Sequence, residues 1–265
     1  MNKMDERKNY WNKDYFEYWK NRVEEANNKN SNKSSIINND AKASSDANYI
    51  EAIELLDIHP NDHLLEMGCG FGRSIPYLYS KTINLFAADI SAAMIQAAQE
   101  LLKAEFSNVK YEITEAEKTP YENEFLNTII CFASFDAMYQ EKALIEFNRI
   151  LKHSGKILIT GKNDNYNDAD TLALNAEVNA RKKGHPNHFT DVKLLLNNLG
   201  LYGFEVESQR FFKNRGDIAL NKFTGIMPDH FYEFLIILKK IHYPNHSKLF
   251  SFSKDYSKTF KRKQT

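Results

Sequence analysis

Leu64-Leu65-Glu66-Met67-Gly68-Cys69-Gly70-Phe71-Gly72-Arg73-Ser74 carries the pattern that decides how this 265-residue chain folds. Apolar residues run into an acid, three glycines alternate with other residues, and a polar, helix-compatible segment follows. The pattern predicts a strand that ends in a tight turn and opens into a helix, which lets a ligand lie against bare backbone. The dinucleotide fingerprint is G-x-G-x-x-G. Here the third glycine comes one residue early, and Glu66 stands just ahead of the first. A phosphate cradle gains nothing from an acid aimed into it, whereas a ligand with an ammonium or sulfonium group does. No Gly-Lys-Ser/Thr follows, which excludes a Walker A loop. An ordinary strand-to-helix turn with incidental glycines would read the same way in isolation.

The neighbouring segments weigh against that bland reading. Asn84-Leu85-Phe86-Ala87-Ala88-Asp89-Ile90-Ser91 is a second apolar run ending in an acid. Asp89 has the separation expected of a ribose-binding carboxylate at the end of the second strand of a βαβ unit, and Ile90 is placed to pack on an adenine face. Ser91 reads as an N-cap, followed by the helix formers Ala92-Ala93-Met94-Ile95. A third strand is expected at Val109–Ile113 and a fourth at Leu126–Phe132.

With these segments in place, the sequence resembles a class I S-adenosylmethionine-dependent methyltransferase of the small methyltransferase-domain type. The resemblance rests on Leu65-Glu66-Met67-Gly68-Cys69-Gly70-Phe71-Gly72, Asp89, Glu115-Ala116-Glu117-Lys118-Thr119-Pro120-Tyr121 and Leu151-Lys152-His153-Ser154-Gly155, and it covers about residues 50 to 226. Two positions depart from the family pattern: Asn127 replaces the usual Asp, and His153-Ser154 replaces Pro-Gly. The resemblance implies S-adenosylmethionine as cofactor and assigns no metal ligands. It implies that Gly68, Cys69, Gly70 and Gly72 form the turn around the methionine portion, with Glu66 supporting its ammonium. Asp89 would take the ribose, Glu115 and Ala116 the adenine edge, and the end of the fourth strand, Cys131 and Phe132, would lie near the amino group.

Composition agrees with a globular enzyme. Hydrophobic residues make up 42% and charged residues 26% of the chain, and the net charge is zero. That balance gives no overall electrostatic case for a nucleic-acid partner. Two cysteines, Cys69 in the turn and Cys131 in a strand, argue against a disulfide framework and for a cytoplasmic home. The N-terminal residues lack the apolar core of a signal peptide, and no apolar run is long enough to span a bilayer. The longest, Phe234-Leu235-Ile236-Ile237-Leu238, is read as the buried part of a helix.

Alternating strands and helices predict an α/β fold, a Rossmann-like doubly wound seven-stranded sheet, mainly parallel. A helix is expected over 48–58 with Tyr49, Ile53 and Leu56 on one face, another over Ala143–Leu151, and a fifth strand at Lys156–Thr160. Asp191–Leu199 is read as a helix ended by Gly200, and the sixth strand starts at Gly203. The seventh, Ile218–Ile226, would return antiparallel through a hairpin at Asn214-Arg215-Gly216-Asp217, closing the domain at residue 226. Residues 27–47 read as a polar linker, and residues 227–265 as a C-terminal helix and basic tail. The segment 228–265 holds eight Lys and Arg against three acids, which reads either as an RNA-contacting tail or, in preference, as a solvated and partly disordered terminus.

Two regions would shape the acceptor pocket. In residues 1–26 the aromatic residues Tyr10, Trp11, Tyr15, Tyr18 and Trp19 and the cation Arg22 recur at helical steps. They suit either a helix packed on the core or a lid, and the resemblance favours the lid, with Tyr10 and Trp11 over the adenosyl group and Arg22 on the methionine carboxylate. The insertion 161–190 leaves the carboxyl edge of the sheet, where ligands bind in such folds, and contains a helix over about Ala169–Lys182. Catalytic candidates are His188, His185, Asp136 and Tyr139, with His188 favoured as a base because Pro186 restricts its loop. The leading expectation is methyl transfer to oxygen or nitrogen of a small metabolite or sugar-type acceptor. The alternatives are an RNA or protein methyltransferase using the basic tail, and a non-catalytic cofactor-binding partner protein.

Overall fold

Leu64 and Leu65 have no solvent exposure, so the strand that carries them lies in the middle of a sheet. The computed structural model describes residues 3–21 and 47–264. Its strands, numbered in chain order, are β1 (His63–Met67), β2 (Asn84–Asp89), β3 (Lys110–Ile113), β4 (Leu126–Cys131), β5 (Leu151–Lys162), β6 (Phe189–Thr190), β7 (Phe204–Phe212), β8 (Glu233–Lys240) and β9 (Ser253–Lys254). Seven of them form one sheet in the order β3-β2-β1-β4-β5-β8-β7. Pairing is parallel from β3 through β5, and β8 is antiparallel to both of its neighbours. The chain leaves the β3 edge and returns beside β1 as β4, so the strand order reverses between β1 and β4. Open α/β sheets bind ligands at the carboxyl ends of the strands flanking such a reversal.

Both faces of the sheet are covered, which is why its central strands are apolar throughout. Ile157 and Ile159 of β5 pack on one face with Leu144 and Phe147 of the helix Gln140–Ile150. Leu158 packs on the other with Ile53 and Ile95, from the helices Ala47–Glu54 and Ala92–Leu102. Tyr49, Ile53 and Leu56 are all buried, as their spacing predicts. Ser91 caps the helix Ala92–Leu102, its side chain accepting from the Met94 N–H. Asn127 is not idle: its Oδ1 accepts from the His63 N–H at 3.1 Å and from Lys152 Nζ at 2.8 Å, tying β4 to β1 and β5.

The C-terminal third departs from the expectations. The antiparallel strand is not Ile218–Ile226, where Ile226 is 84% exposed and the chain turns. It is β8, whose run Phe234–Leu238 is buried on both faces and is a strand, not the helix its sequence suggests. A five-residue apolar run has no period with which to separate a buried strand from a buried helix. The sheet therefore continues past residue 226. The helix expected to end at Gly200 runs over Val192–Asn197, followed by a 3₁₀ turn at Leu199–Tyr202. Gly203 makes the exit with φ +82°, and a Cβ there would collide with the His242 carbonyl oxygen.

The basic C-terminal segment is folded onto the domain rather than solvated and disordered. Lys240 is 1% exposed, and its ammonium donates to the Leu151 carbonyl at 2.7 Å. Glu141 Oε1 accepts from the backbone N–H groups of Phe252 and Ser253, both at 2.8 Å. β9 then pairs with β6 of the insertion, and Thr259 donates to the Tyr166 carbonyl from a terminal helix, Lys258–Gln264. Arg22 and most of the expected linker (residues 27–46) lie outside the described residues.

This docking generates a stability prediction. Phe252 is fully buried against Tyr202 and Phe250, so Phe252→Ala is expected to destabilise the chain by about 3–5 kcal/mol in urea unfolding. A loss below about 0.5 kcal/mol, the range of ordinary surface substitutions, would mean that the tail does not pack as described.

Candidate active site

The glycine turn holds its shape because different neighbours constrain each of its glycines. Gly68 has φ +77°, and a Cβ on it would lie 2.5 Å from the Ser134 side chain. A Cβ on Gly70, φ +53°, would meet nothing within 4 Å, because that residue faces open cavity. Gly72 does not line the cavity; it packs closely on Leu102 and Ile75 and seats the turn on the following helices. Asp89 locks the turn to the end of β2, its Oδ2 accepting from the Gly70 N–H at 3.0 Å and its Oδ1 from the Ser91 N–H at 2.9 Å. Burial pushes the Asp89 carboxyl above its ordinary value, against the pull of those backbone donors.

Glu66 projects from β1 beneath the turn and is only 4% exposed. Ser74 Oγ donates to its Oε1, while its buried Oε2 accepts nothing among the described residues. Burial, reinforced by the nearby Asp89, raises this carboxyl to about 7. A buried acceptor without a donor carries a desolvation penalty, which a ligand ammonium would relieve.

Turn, strand ends and insertion enclose a cavity of about 1070 Å³. Of the residues expected to hold a cofactor, Glu66, Gly68, Cys69, Gly70, Asp89, Ile90, Ala116, Phe132, Tyr10 and Trp11 line it. Gly72, Glu115 and Cys131 do not. Glu115 pairs outward with Lys8, and the acid that faces the cavity is its neighbour-but-one, Glu117. Cys131 is fully buried, with its sulfur 3.1 Å from Ser134 Oγ.

The N-terminal segment roofs this space. It runs as an α-helix over Lys3–Asn9, a π-helix over Tyr10–Tyr15 and helix again through residue 21. Its cavity side is one stripe, Arg7, Tyr10, Trp11, Tyr15 and Trp19 among its members. Arg7 is 5% exposed and grips both oxygens of Glu117, at 2.6 and 2.9 Å, the bidentate geometry that gives Arg–carboxylate pairs their specificity. Asn12 Oδ1 accepts from the Ala93 N–H at 2.9 Å, and the Phe16 ring packs against Phe71 of the turn. The roof is thus fastened to the glycine turn, the helix after β2 and the segment after β3.

Opposite the turn lies a second set of ionisable groups. Lys162, the last residue of β5, sits 3.2 Å from both Asp136 Oδ2 and Glu177 Oε1. Burial works against its charge, but Glu177 and Asp136 outweigh burial and hold the ammonium well above its ordinary value. Tyr232 donates to Glu177 Oε1 at 2.6 Å, and Arg215 donates to the Tyr232 hydroxyl at 3.1 Å. His185 is ringed by Tyr10, Trp11 and Tyr15, with the Tyr10 hydroxyl 2.9 Å from its Nδ1. Burial and then Lys162 lower this imidazole to about 4, so it is neutral at pH 7.

Of the catalytic candidates, Asp136 and His185 face the cavity, whereas His188 and Tyr139 do not. His188 turns its ring toward Tyr139 and its Nδ1 toward Asp255, at 3.4 Å. Sequence reasoning does not single out Arg7, Glu117, Lys162, Glu177, Arg215 or Glu233, all of which line the cavity. Two leave a signal: Arg7 extends the aromatic stripe by one turn, and Lys162 follows Thr160 on the same face of β5.

Residues 65–159 match the family described as a methyltransferase domain. The chain is 32% identical over 114 residues to a ubiquinone/menaquinone biosynthesis C-methyltransferase of Hydrogenovibrio crunogenus, covering 41% of this chain and 45% of that protein. It is 27% identical over 157 residues to phosphoethanolamine N-methyltransferase 3 of Arabidopsis thaliana, covering 58% and 31%. The matches span less than half the length of either relative. Among solved structures, the geranyl diphosphate C-methyltransferase of Streptomyces coelicolor, in complex with Mg2+, geranyl diphosphate and S-adenosyl-L-homocysteine, superposes with a TM-score of 0.58 at 14% identity, covering 73% of this chain and 78% of the other. Over residues 65–159 the chain therefore carries the methyltransferase-domain pattern that its resemblance to class I S-adenosylmethionine-dependent enzymes anticipates.

The raised Glu66 carboxyl predicts a specific pH dependence. Its stability contribution is full below the ordinary carboxylate range and is lost as pH rises through about 7, because the unfolded chain releases the proton first. Glu66→Gln is expected to match the wild type near pH 4 and to exceed it by about 3 kcal/mol at pH 8, at about 1.4 kcal/mol per pKa unit. Because His185 gives the opposite slope between its ordinary value and about 4, variant and wild type are compared at each pH by urea unfolding. A difference that does not change with pH would contradict a buried, proton-sharing Glu66.

Proposed function

We propose that this chain methylates oxygen or nitrogen of a small metabolite enclosed in the cavity beneath the N-terminal helix. The observation that carries this reading is one space lined on one side by Glu66, Gly70 and Asp89 and on the other by Asp136, Lys162 and Glu233. The first group fits the methyl donor. The unpartnered oxygen of Glu66 suits an ammonium, the open face of Gly70 lets backbone approach, and the remaining lone pairs of Asp89 suit ribose hydroxyls. Ile90, Ala116 and Phe132 supply apolar surface for the adenine. Bound there, S-adenosylmethionine supplies an activated methyl group, transferred as its bond to sulfur breaks.

The protein's task is then positioning and exclusion of water, and positioning alone is worth about 7–11 kcal/mol. The helical roof, pinned by Arg7 to Glu117, closes the space, and residues 161–190 wall its acceptor side. We read residues 1–47 as lid and linker, and the sheet from β1 through β8 as the catalytic unit. The folded C-terminal segment favours a small-molecule acceptor over RNA, since its chain is used to brace the insertion. Two unpaired cysteines, both buried, suit a cytoplasmic enzyme; among the described residues no helix is long and apolar enough to cross a membrane.

Asp89→Ala tests the donor half. Loss of two acceptor sites should weaken S-adenosylhomocysteine binding at least tenfold in calorimetry, about 1.4 kcal/mol. Unchanged affinity in a variant that still unfolds cooperatively would remove Asp89 from the site.

A further inference from the structure

The acceptor half of the cavity has chemistry of its own. Lys162 and Glu233 are cross-strand partners in the β5–β8 register, so their side chains share one face at the carboxyl end of β5. Lys162 is already engaged by Asp136 and Glu177. Arg215 is engaged through Tyr232, and Lys183 lies over the Tyr18 ring. Glu233 is the exception: its Oε2 is shielded from solvent and accepts no hydrogen bond among the described residues. Burial raises that carboxyl to about 7, with Arg215 and Lys162 pulling the other way. An acceptor in this state calls for a donor that comes with the substrate.

The walls narrow the choice of donor. Tyr10, Trp11, Tyr15, Tyr18 and Trp19 line the same cavity from the roof, and Tyr49, packed edge-on to Phe132, lines it as well. Aromatic faces attract a cation when it is desolvated, and a buried carboxylate in the same space adds the matching charge. A neutral hydroxyl would satisfy Glu233 but gain nothing from the rings.

Building on the methyltransferase reading, we infer that the acceptor is a primary or secondary amine, seated within the aromatic wall with its nitrogen on Glu233 Oε2, and that Glu233 takes the proton the ammonium must lose. An ammonium has no lone pair, so one proton must leave nitrogen before it can be methylated. That proton passes to the Glu233 carboxylate. The freed lone pair forms the new N–C bond while the electrons of the breaking S–C bond stay on sulfur. The positive charge moves from sulfonium to the methylated nitrogen, and Glu233 later returns its proton to water.

The chain has two tryptophans, and both, Trp11 and Trp19, line this cavity. Tryptophan emission therefore reports on the site directly. The 265-residue protein is first saturated with S-adenosylhomocysteine, followed by its own calorimetric signal, then titrated at pH 7.5 with 2-phenylethylamine or 2-phenylethanol, probes that differ only in the polar group. The amine is expected to bind at least tenfold tighter than the alcohol. In Glu233→Gln, which keeps the shape and removes the charge, the preference should fall below threefold while S-adenosylhomocysteine affinity is retained. Equal binding of the two probes, tighter binding of the alcohol, binding of neither, or an amine preference that survives Glu233→Gln would each overturn the inference. Failure of the wild type to bind S-adenosylhomocysteine would bring down the underlying methyltransferase reading instead. If Glu233→Gln does not fold, the wild-type comparison alone decides against the inference when no tenfold preference is seen, and for it when the preference also fades at pH values above the amine's own pKa.

Discussion

The carboxylate of Asp89 is the tie on which the site depends. It accepts from Gly70 on one side and Ser91 on the other, joining the turn after β1 to the start of the helix after β2. Once that tie is made, Gly70 presents bare backbone to the cavity, Glu66 is sealed below it, and Ser91 is placed to meet Asn12 of the roof at 3.2 Å. The parallel register of β1 and β2, which sets Met67 beside Ala88, brings the two segments to the same level. Backbone pairing thus positions a polar contact, and the polar contact shapes the ligand-facing surface.

The cavity is organised around unequal satisfaction of charge. Arg7, Lys162 and Arg215 are each bound to acidic or phenolic oxygens. Glu66 and Glu233 each retain a buried oxygen with no donor among the described residues. Such groups oppose stability in the free protein, and on the proposed reading two cationic ligands meet in the space between them. The π-helical segment Tyr10–Tyr15 has a related meaning. π-Bulges recur at functional sites, and this one delivers consecutive aromatic rings, Tyr10 and Trp11, to the same side of the roof.

The half of the site proposed for the methyl donor is legible because it is local. The acid, the glycines and Asp89 lie within βαβ connections whose spacing is set by strand and helix lengths, so a linear pattern encodes a three-dimensional one. The acceptor half is assembled from segments far apart in the chain. Glu233 stays hidden as long as Phe234–Leu238, a run without period, reads as helix. Glu177 lies on an expected helix, but nothing in its neighbours reveals which face looks inward. The tail misleads for a different reason: its lysines set its charge, while its fate is decided by Phe252, Ser257 and Thr259, three buried residues among many exposed polar ones. The stiffness of its loop favours His188 as a base, yet its backbone N–H donates to the Asp136 carbonyl at 2.6 Å and its ring lies outside the cavity lining.

The central claim is that Glu66, Gly70 and Asp89 together bind the methyl donor beneath the aromatic roof. A crystal structure of the protein with S-adenosylhomocysteine tests it most directly. The expected result is ligand density in this cavity, with the ribose hydroxyls on Asp89 and the amino group toward Glu66 Oε2. Well-defined ligand density at another site, or in this cavity with the ribose away from Asp89, would contradict it.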